Sequence, residues 1–598
     1  MSSDVFADEI VKKIRDGALF NDLAKIVSNC AITKESGGEV GWVDFEGAKD
    51  SEHHLELVLP AAARQELVPK DLDDLDSKKT GDIFKVSSNR GVHVVQVVDV
   101  DVDLKRKIKL RKRAERNPWM TAHDKSDVDS KQLYYEMETM GCQMNIADSE
   151  RIAGQLQSMN IMPIDKNKAG GAQPDVVVLN TCSIRDHAEQ KVYSHIGPHA
   201  KRKRKGEGEF CVSCLLLASL PLVHPHPLTP FFLSPAVSIV IAGCVAEQEG
   251  EELLRRCPEV DLVMGPQYAN RIADLLEDVN NGSQVVATAP EFIVEDYTKP
   301  KRDSTSCAWV NVIYGCNERC RFCIVPSTRG IEQSRTLESI LEECRELVAD
   351  GYKEITLLGQ NIDSYGRDLL PKRKFSELLT LVGEIEGLQR LRFVTSHPKY
   401  MSEEVVDAVA ANPSICNSFH IPFQSGDDKV LKDMGRGHSV AKYLKIIDRI
   451  RDKIPDAAIT ADVIVGFPGE TEDEFMNTLK LMETVKFDSV NTAAYSPRPN
   501  TPAAEWTNQV DEDVKKDRLQ RINRLNLVHA AERRKRMVGR TLSVLVEGRN
   551  LKKINEVWGR TEHGYIVYFE ADIDEYKDEI VEVKITEAST YSLTAVMV

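Results

Sequence analysis

Three thiols stand close together in Cys316-Asn317-Glu318-Arg319-Cys320-Arg321-Phe322-Cys323, a C-x3-C-x2-C run. Thiolates are soft ligands, suited to zinc or to iron–sulfur clusters. Three of them on a four-iron cluster leave one iron without a protein ligand. That iron can take the amino and carboxylate groups of S-adenosylmethionine, and a reduced cluster can then cleave the sulfonium to release a 5′-deoxyadenosyl radical. A zinc site is the alternative; it needs a fourth ligand, for which Cys307 or a nearby histidine is available.

Three other cysteines, Cys142, Cys182 and Cys244, are separated by 40 and 62 residues, and each falls where a strand signal ends. A lone cysteine there is a small buried side chain. Three at successive strand ends point to a shared site. More polar and glycine-rich runs follow strand signals: Arg329–Arg335, Gly359-Gln360-Asn361, Ser396-His397-Pro398, His420–Gly426, and Asp462 with Gly466-Phe467-Pro468-Gly469. Gly-Phe-Pro-Gly reads equally well as a tight turn. His397 and His420 read as structural hydrogen-bonding groups as readily as proton carriers.

Periodicity indicates the elements that position these residues. Residues 131–285 alternate strands (132–138, 175–180, 238–243, 260–264) with helices (146–158, 186–201, 246–256, 268–278), the pattern of a small α/β domain with a parallel sheet. Residues 302–535 carry six strand signals, Ala308–Ile313, Glu354–Leu358, Leu391–Thr395, Ser418–Pro422, Ile459–Val465 and Ser489–Tyr495. Helical patterns lie between them, which predicts an open or partial (β/α) barrel with its site at the strand ends. Residues 511–536 read as a basic helix, and 537–598 as a small antiparallel β-barrel. At the other end, 5–30 reads as helix and 92–98 as strand in a unit over 1–100, and 101–130 as a charged linker. The overall class is α/β.

Residues 205–237 break the pattern, with Cys211, Cys214 and five prolines between Pro221 and Pro235. The apolar run is far short of the roughly 20 residues that span a bilayer, so the segment reads as an inserted loop or a retained intron, and no membrane partner is expected. Cys211-x-x-Cys214 is a weak metal signal.

Composition limits the function. The 598-residue chain is 42% hydrophobic and 29% charged, which excludes general disorder, and its formal net charge is −16. Any nucleic-acid role must therefore rest on a local basic surface. Such a surface is encoded: Lys515 through Lys553 holds 13 Lys or Arg against three acids, and includes Arg533, Arg534, Lys535, Arg536, Arg540, Arg549, Lys552 and Lys553. Some of Trp558, Tyr565, Tyr568 and Phe569 are candidates to stack on bases; at least half belong in a core. Thirteen cysteines in a chain of this length do not make a disulfide scaffold. The first 20 residues show no basic start followed by an apolar stretch. A reducing intracellular compartment is expected, either cytoplasm or an organelle.

The Cys316–Cys323 run resembles the radical S-adenosylmethionine superfamily. Thr139-Met140-Gly141-Cys142-Gln143-Met144-Asn145, Asn180-Thr181-Cys182-Ser183-Ile184-Arg185 and Ala242-Gly243-Cys244-Val245-Ala246 resemble its methylthiotransferase family, over about residues 131–598. The resemblance implies two 4Fe–4S clusters, a radical one on Cys316, Cys320 and Cys323 and an auxiliary one on Cys142, Cys182 and Cys244. It implies S-adenosylmethionine as methyl donor and radical source, in a pocket lined by Gly359, Asn361, Ser396, Gln424, Asp462, Gly466, Pro468 and Gly469. It also implies an electron donor such as flavodoxin or ferredoxin, a sulfur source, and a TRAM-like C-terminal barrel that binds tRNA. The family has branches that act on isopentenylated adenosine in tRNA, on threonylcarbamoylated adenosine in tRNA, or on an aspartate of a ribosomal protein. Cys142-Gln143-Met144-Asn145, Cys182-Ser183-Ile184-Arg185 and Tyr495-Ser496-Pro497-Arg498-Pro499-Asn500-Thr501-Pro502-Ala503 are most similar to the first. An RNA-binding protein with inactive cluster folds is the non-enzymatic alternative. Residues 17–100 resemble the C-terminal part of a parvulin-type prolyl isomerase, through Leu23-Ala24, Ser28-Asn29-Cys30, Gly37-Gly38, Gly41-Trp42 and Gly91-Val92-His93. The strand with the active-site histidine is missing, which implies a degenerate folding or docking module.

Overall fold

The structure is a computed structural model that describes strand residues 42–43, 54–57, 83–88 and 91–101, then 132–165, 173–183, 192–204, 237–280, 283–289, 293, 299–553 and 555–598. The predicted helix at 5–30, all but the first residue of the linker predicted at 101–130, and Cys211 and Cys214 lie outside the described residues. The chain divides into two units, 1–124 and 125–598. The first contains β1 (Trp42–Val43), β2 (His54–Leu57), β3 (Ile83–Ser88) and β4 (Gly91–Asp101), an antiparallel sheet in the order β1-β2-β4-β3.

The second unit begins with a six-stranded sheet of β5 (Leu133–Met140), β6 (Ile161–Pro163), β7 (Val176–Thr181), β8 (Ser238–Gly243), β9 (Leu262–Met264) and β10 (Val285–Ala287). Its order is β10-β9-β8-β7-β5-β6, and every pairing is parallel. β7 and β8 are buried at every residue, as their continuous Val-Val-Val-Leu and Ile-Val-Ile-Ala runs require of strands covered on both faces. The short edge strands β6 and β10 have too few residues to show a period. The predicted helix at 246–256 is two helices, Cys244–Glu249 and Glu251–Arg256, broken at Gly250.

Next come six parallel strands in two arcs: β11 (Cys307–Asn311), β14 (Glu354–Leu358) and β15 (Arg390–Phe393), then β16 (Ser418–His420), β17 (Ala458–Val465) and β18 (Ser489–Ala494). A parallel bridge, Leu391 to Ile415, joins the arcs. Between β11 and β14, β12 (Ile313–Tyr314) pairs antiparallel with β13 (Gln333–Ser334). Helices cross between the strands, and Phe419, Phe423, Phe475 and Phe487 sit in their common core with no exposure. Each such ring contributes about 1.5–3 kcal/mol of burial.

Helix Glu512–Lys535 closes the far edge: the Asn526 amide accepts from the Val490 N–H at 3.0 Å and donates to its carbonyl at 2.9 Å. An open strand edge is thereby capped. The chain ends in a closed barrel of β19 (Thr541–Arg549), β20 (Glu556–Thr561), β21 (Ile566–Glu570), β22 (Ile580–Ala588) and β23 (Leu593–Met597). β23 carried no recognised sequence signal, because Thr594 and Val596 put an apolar and a polar side chain alike on the outer face. Buried arginines dock this barrel on the core: Arg390 donates to the Arg560 carbonyl at 2.7 Å, and Arg392 to the Thr561 and Glu562 carbonyls at 2.6 and 2.8 Å. No helix of the described residues is long and apolar enough to cross a membrane.

Candidate functional site

Parallel register gathers the three distant cysteines. Met140 of β5 lies opposite Thr181 of β7, which lies opposite Gly243 of β8. Cys142, Cys182 and Cys244 are the first or second residues beyond those ends. Gly243 has φ +91°, and a Cβ there would lie 2.4 Å from both Asn180 Oδ1 and the Thr181 carbonyl. Only glycine permits that approach. A buried amide network fixes the strand ends: Asn145 donates to Asn180 Oδ1 and the Thr181 carbonyl, each at 3.2 Å, and Asn180 donates to the Asn145 carbonyl at 2.8 Å.

The three thiols meet. Cys182 is in hydrogen-bond contact with both Cys142 and Cys244, and that contact lowers both of them to about 6 while raising Cys182. Burial opposes the lowering, and the Arg329 guanidinium assists it.

The second triad is local. The β12–β13 pair closes the base of a loop, and the Cys316 N–H donates to the Gly330 carbonyl across it at 3.1 Å. Gly315 turns the loop with φ +65°, where a Cβ would stand 2.0 Å from the Ile331 carbonyl. Burial pushes the Cys316 thiol up to about 12 and Cys323 up to about 11. Arg436, itself buried, donates to Cys320 Sγ at 3.6 Å and to the Pro422 carbonyl at 3.0 Å. Burial pushes the Glu318 carboxyl up, but hydrogen bonds from Lys399 and Tyr400 outweigh it and hold it below the usual range.

A cavity of about 640 Å³ joins the sites; Cys142 and Cys244 line it together with Cys316, Cys320 and Cys323. Gly359, Asn361, Ser396, Gln424 and Asp462 line it too. Both side-chain atoms of the Asn361 amide are buried with no hydrogen-bond partner, as is Gln424 Oε1. Buried polar atoms of this kind are costly unless something pairs with them. Thr395 (φ +67°) and Gln424 (φ +65°) hold left-handed backbone just past the strand ends. Non-glycine residues there are strained, and such strain gathers at functional sites. A polar, amino-acid-bearing ligand such as S-adenosylmethionine fits this donor set.

Two sets of predicted residues lie differently from the rest. Gly466, Pro468 and Gly469 do not line the cavity. Gly466 packs on Lys515, whose Cγ would lie 2.4 Å from an added Cβ, and its N–H donates to Glu470 at 2.6 Å. The run forms the turn into helix Glu472–Val485, as its glycines and proline equally allowed. Among the RNA candidates, Arg533 is buried: it pairs with Asp488 at 2.8 Å and donates to the Ala457 carbonyl. Arg534 is half-buried over the Tyr565 ring, and Arg540 and Lys553 are exposed but paired with Asp456 and Glu556. Lys535, Arg536, Arg549 and Lys552 are exposed. Tyr565 and Phe569 belong to the barrel core, while Trp558 and Tyr568 are half-buried and opposite each other on β20 and β21. His397 is held neutral, lowered to about 2 by burial and by Arg436. His420 bonds Thr460 at 2.9 Å and faces Asp462.

Among the described residues, no group of three His, Cys, Asp or Glu side chains converges to hold a metal ion.

Family models match along this chain in sequence order: the PPIC-type prolyl isomerase domain at 3–101, the uncharacterized protein family UPF0004 at 134–217, the Radical SAM superfamily at 310–482 and the TRAM domain at 535–598. The last three match the general architecture of the methylthiotransferase family. Together they support a radical enzyme dependent on S-adenosylmethionine that acts through iron–sulfur chemistry, and the TRAM domain supports RNA binding. The UPF0004 match ends inside the anomalous 205–237 segment. Among solved structures, the radical S-adenosylmethionine methyltransferase TsrM from Kitasatospora setae is similar at TM-score 0.44 and 14% identity, over 62% of this chain and 74% of that one. The cobalamin-dependent radical enzyme OxsB is similar at TM-score 0.40 and 11% identity, over 76% of this chain and 68% of that one. At these values the likenesses carry no argument about this chain.

Two site residues escaped the sequence reading. Arg436 stood between Gly435 and Gly437, a loop signal that was available. Asp148, which pairs with Arg329 at 2.8 Å, had none, because the pairing spans 181 positions.

Proposed function

We propose that the protein transfers a methylthio group to C2 of N6-isopentenyladenosine next to the anticodon of tRNA. When bound, two 4Fe–4S clusters and S-adenosylmethionine supply the methyl group, the sulfur and the radical that removes the unreactive C2 hydrogen. Cys316, Cys320 and Cys323 are the thiols to hold the radical cluster, and Cys142, Cys182 and Cys244 those for the auxiliary one. Asn361 and Gln424 would orient the sulfonium ligand through their unpaired amide atoms, with Ser396 lining the same cavity and Asp462 facing His420 in its wall. Arg436 donates to a radical-site thiol and offers its charge to the ligand's carboxylate. The exposed bases Lys535, Arg536, Arg549 and Lys552, with Arg540 and Lys553 exchanging their carboxylate partners for phosphate, form the RNA face. An electron donor such as flavodoxin or ferredoxin and a sulfur source complete the reaction.

The observation that carries this reading is one cavity lined from both cysteine sites. The choice of isopentenyladenosine rests on the Cys142–Asn145, Cys182–Arg185 and Tyr495–Ala503 runs. Nucleoside analysis of tRNA after anaerobic reaction with S-adenosylmethionine and a reductant tests it. 2-Methylthio-N6-isopentenyladenosine is expected. Modification of threonylcarbamoylated adenosine alone would move the protein to the other tRNA branch, and formation of neither product, nor of 5′-deoxyadenosine, would overturn the reading.

A further inference from the structure

Arg329 belongs by sequence to one cysteine site and by position to the other. It ends helix Val325–Arg329, which starts two residues after Cys323. Its guanidinium pairs with Asp148 at 2.8 Å, on the helix that begins immediately after Cys142. Both side chains are almost completely withdrawn from solvent, at 6% and 5% exposure. Arg329 lines the cavity beside Cys142 and Cys244. Helix Val325–Arg329 also packs on helix Cys244–Glu249, which begins at the last of those cysteines.

We infer that Arg329 is a positioning residue for the auxiliary site: with Asp148 it sets the charge beside Cys142 and Cys244, and so the reduction potential of the cluster held there. This rests on the reading that Cys142, Cys182 and Cys244 hold an iron–sulfur cluster. Cluster potentials follow local charge, hydrogen bonding and exposure, and outer partners tune the ligands they touch. Reduction adds a negative charge. A buried cation nearby favours the reduced form, and a buried carboxylate disfavours it, because neither is screened by water. The ion pair also ties the radical-site loop to the auxiliary helix, so the two sites keep a fixed separation.

The full chain carrying Cys316→Ala, Cys320→Ala and Cys323→Ala isolates the auxiliary cluster. Iron retained in that background confirms the underlying reading; a background without iron removes both the reading and the inference. In it, Arg329→Gln is expected to shift the midpoint potential, followed by EPR during a redox titration, to more negative values. Asp148→Asn is expected to shift it to less negative values, and Arg329→Lys to leave it near the parent. Opposite shifts from the two halves of one ion pair are not a signature of general damage. Iron lost from Arg329→Gln but kept in Arg329→Lys also supports the charge role. Iron lost from both, or retained iron with shifts that are absent or of the same sign, overturns it.

Discussion

The two cysteine sites are built in opposite ways. Cys316, Cys320 and Cys323 lie within eight residues, and a hairpin of two-residue strands suffices to shape their loop. Cys142, Cys182 and Cys244 span more than a hundred residues and meet only because β5, β7 and β8 run parallel in register. Their electrostatics differ as well. Burial drives Cys316 and Cys323 toward the neutral thiol, whereas on the sheet Cys142 and Cys244 are lowered by their contact with Cys182, which is itself raised.

This contrast can be broken most directly at the cysteines. Cys316→Ala should lose about four of about eight irons per chain and abolish 5′-deoxyadenosine formation, read by iron analysis and chromatography. Cys182→Ala should lose a similar amount of iron yet still form 5′-deoxyadenosine, with no methylthio product. If Cys182→Ala also stops 5′-deoxyadenosine formation, the sites are not separable.

Asn180→Ala sharpens the comparison without touching a thiol. It removes a buried amide that bonds the Asn145 carbonyl at 2.8 Å and Ser149 at 2.9 Å. Leaving those groups unpaired should cost about 1–3 kcal/mol, seen as a lower unfolding midpoint and faster iron loss from the auxiliary site alone. Equal loss at both sites would show that the amide network serves the whole unit.

Asn361→Ala tests the space between the sites. Its amide has no partner within the protein, so stability should hold while S-adenosylmethionine binds about tenfold more weakly, as expected for one hydrogen bond of about 1.4 kcal/mol. Calorimetric titration of the reconstituted protein reads this. Unchanged affinity would remove Asn361 from the pocket.

The smallest effect belongs to the surface. Arg536→Ala or Lys552→Ala should weaken tRNA binding modestly and reduce the salt dependence of log K by about one unit of slope, without changing iron content. Filter binding across salt concentrations checks it. Arg533→Ala should instead act on stability, since it leaves Asp488 buried beside Tyr565 without its cation.

The sequence by itself determined whatever depends on near neighbours. The C-x3-C-x2-C loop, the long helices and the six core strands follow from local spacing and periodicity, which a few consecutive residues express. The two-residue strands β12 and β13 and the three-residue edge strands β6 and β10 express no period of their own, and β23 mixes polar and apolar side chains on its outer face. Only the tertiary structure decided which charges face water and which face each other. Arg533 and Arg536 sit three positions apart in one basic run, yet helix packing sends the first to Asp488 and leaves the second exposed. Arg329 and Asp148 meet across 181 positions. The reason is physical: a pattern of residue types records which faces are apolar, but the partner of a buried charge is fixed only when parallel strands and their crossovers bring distant segments to one place.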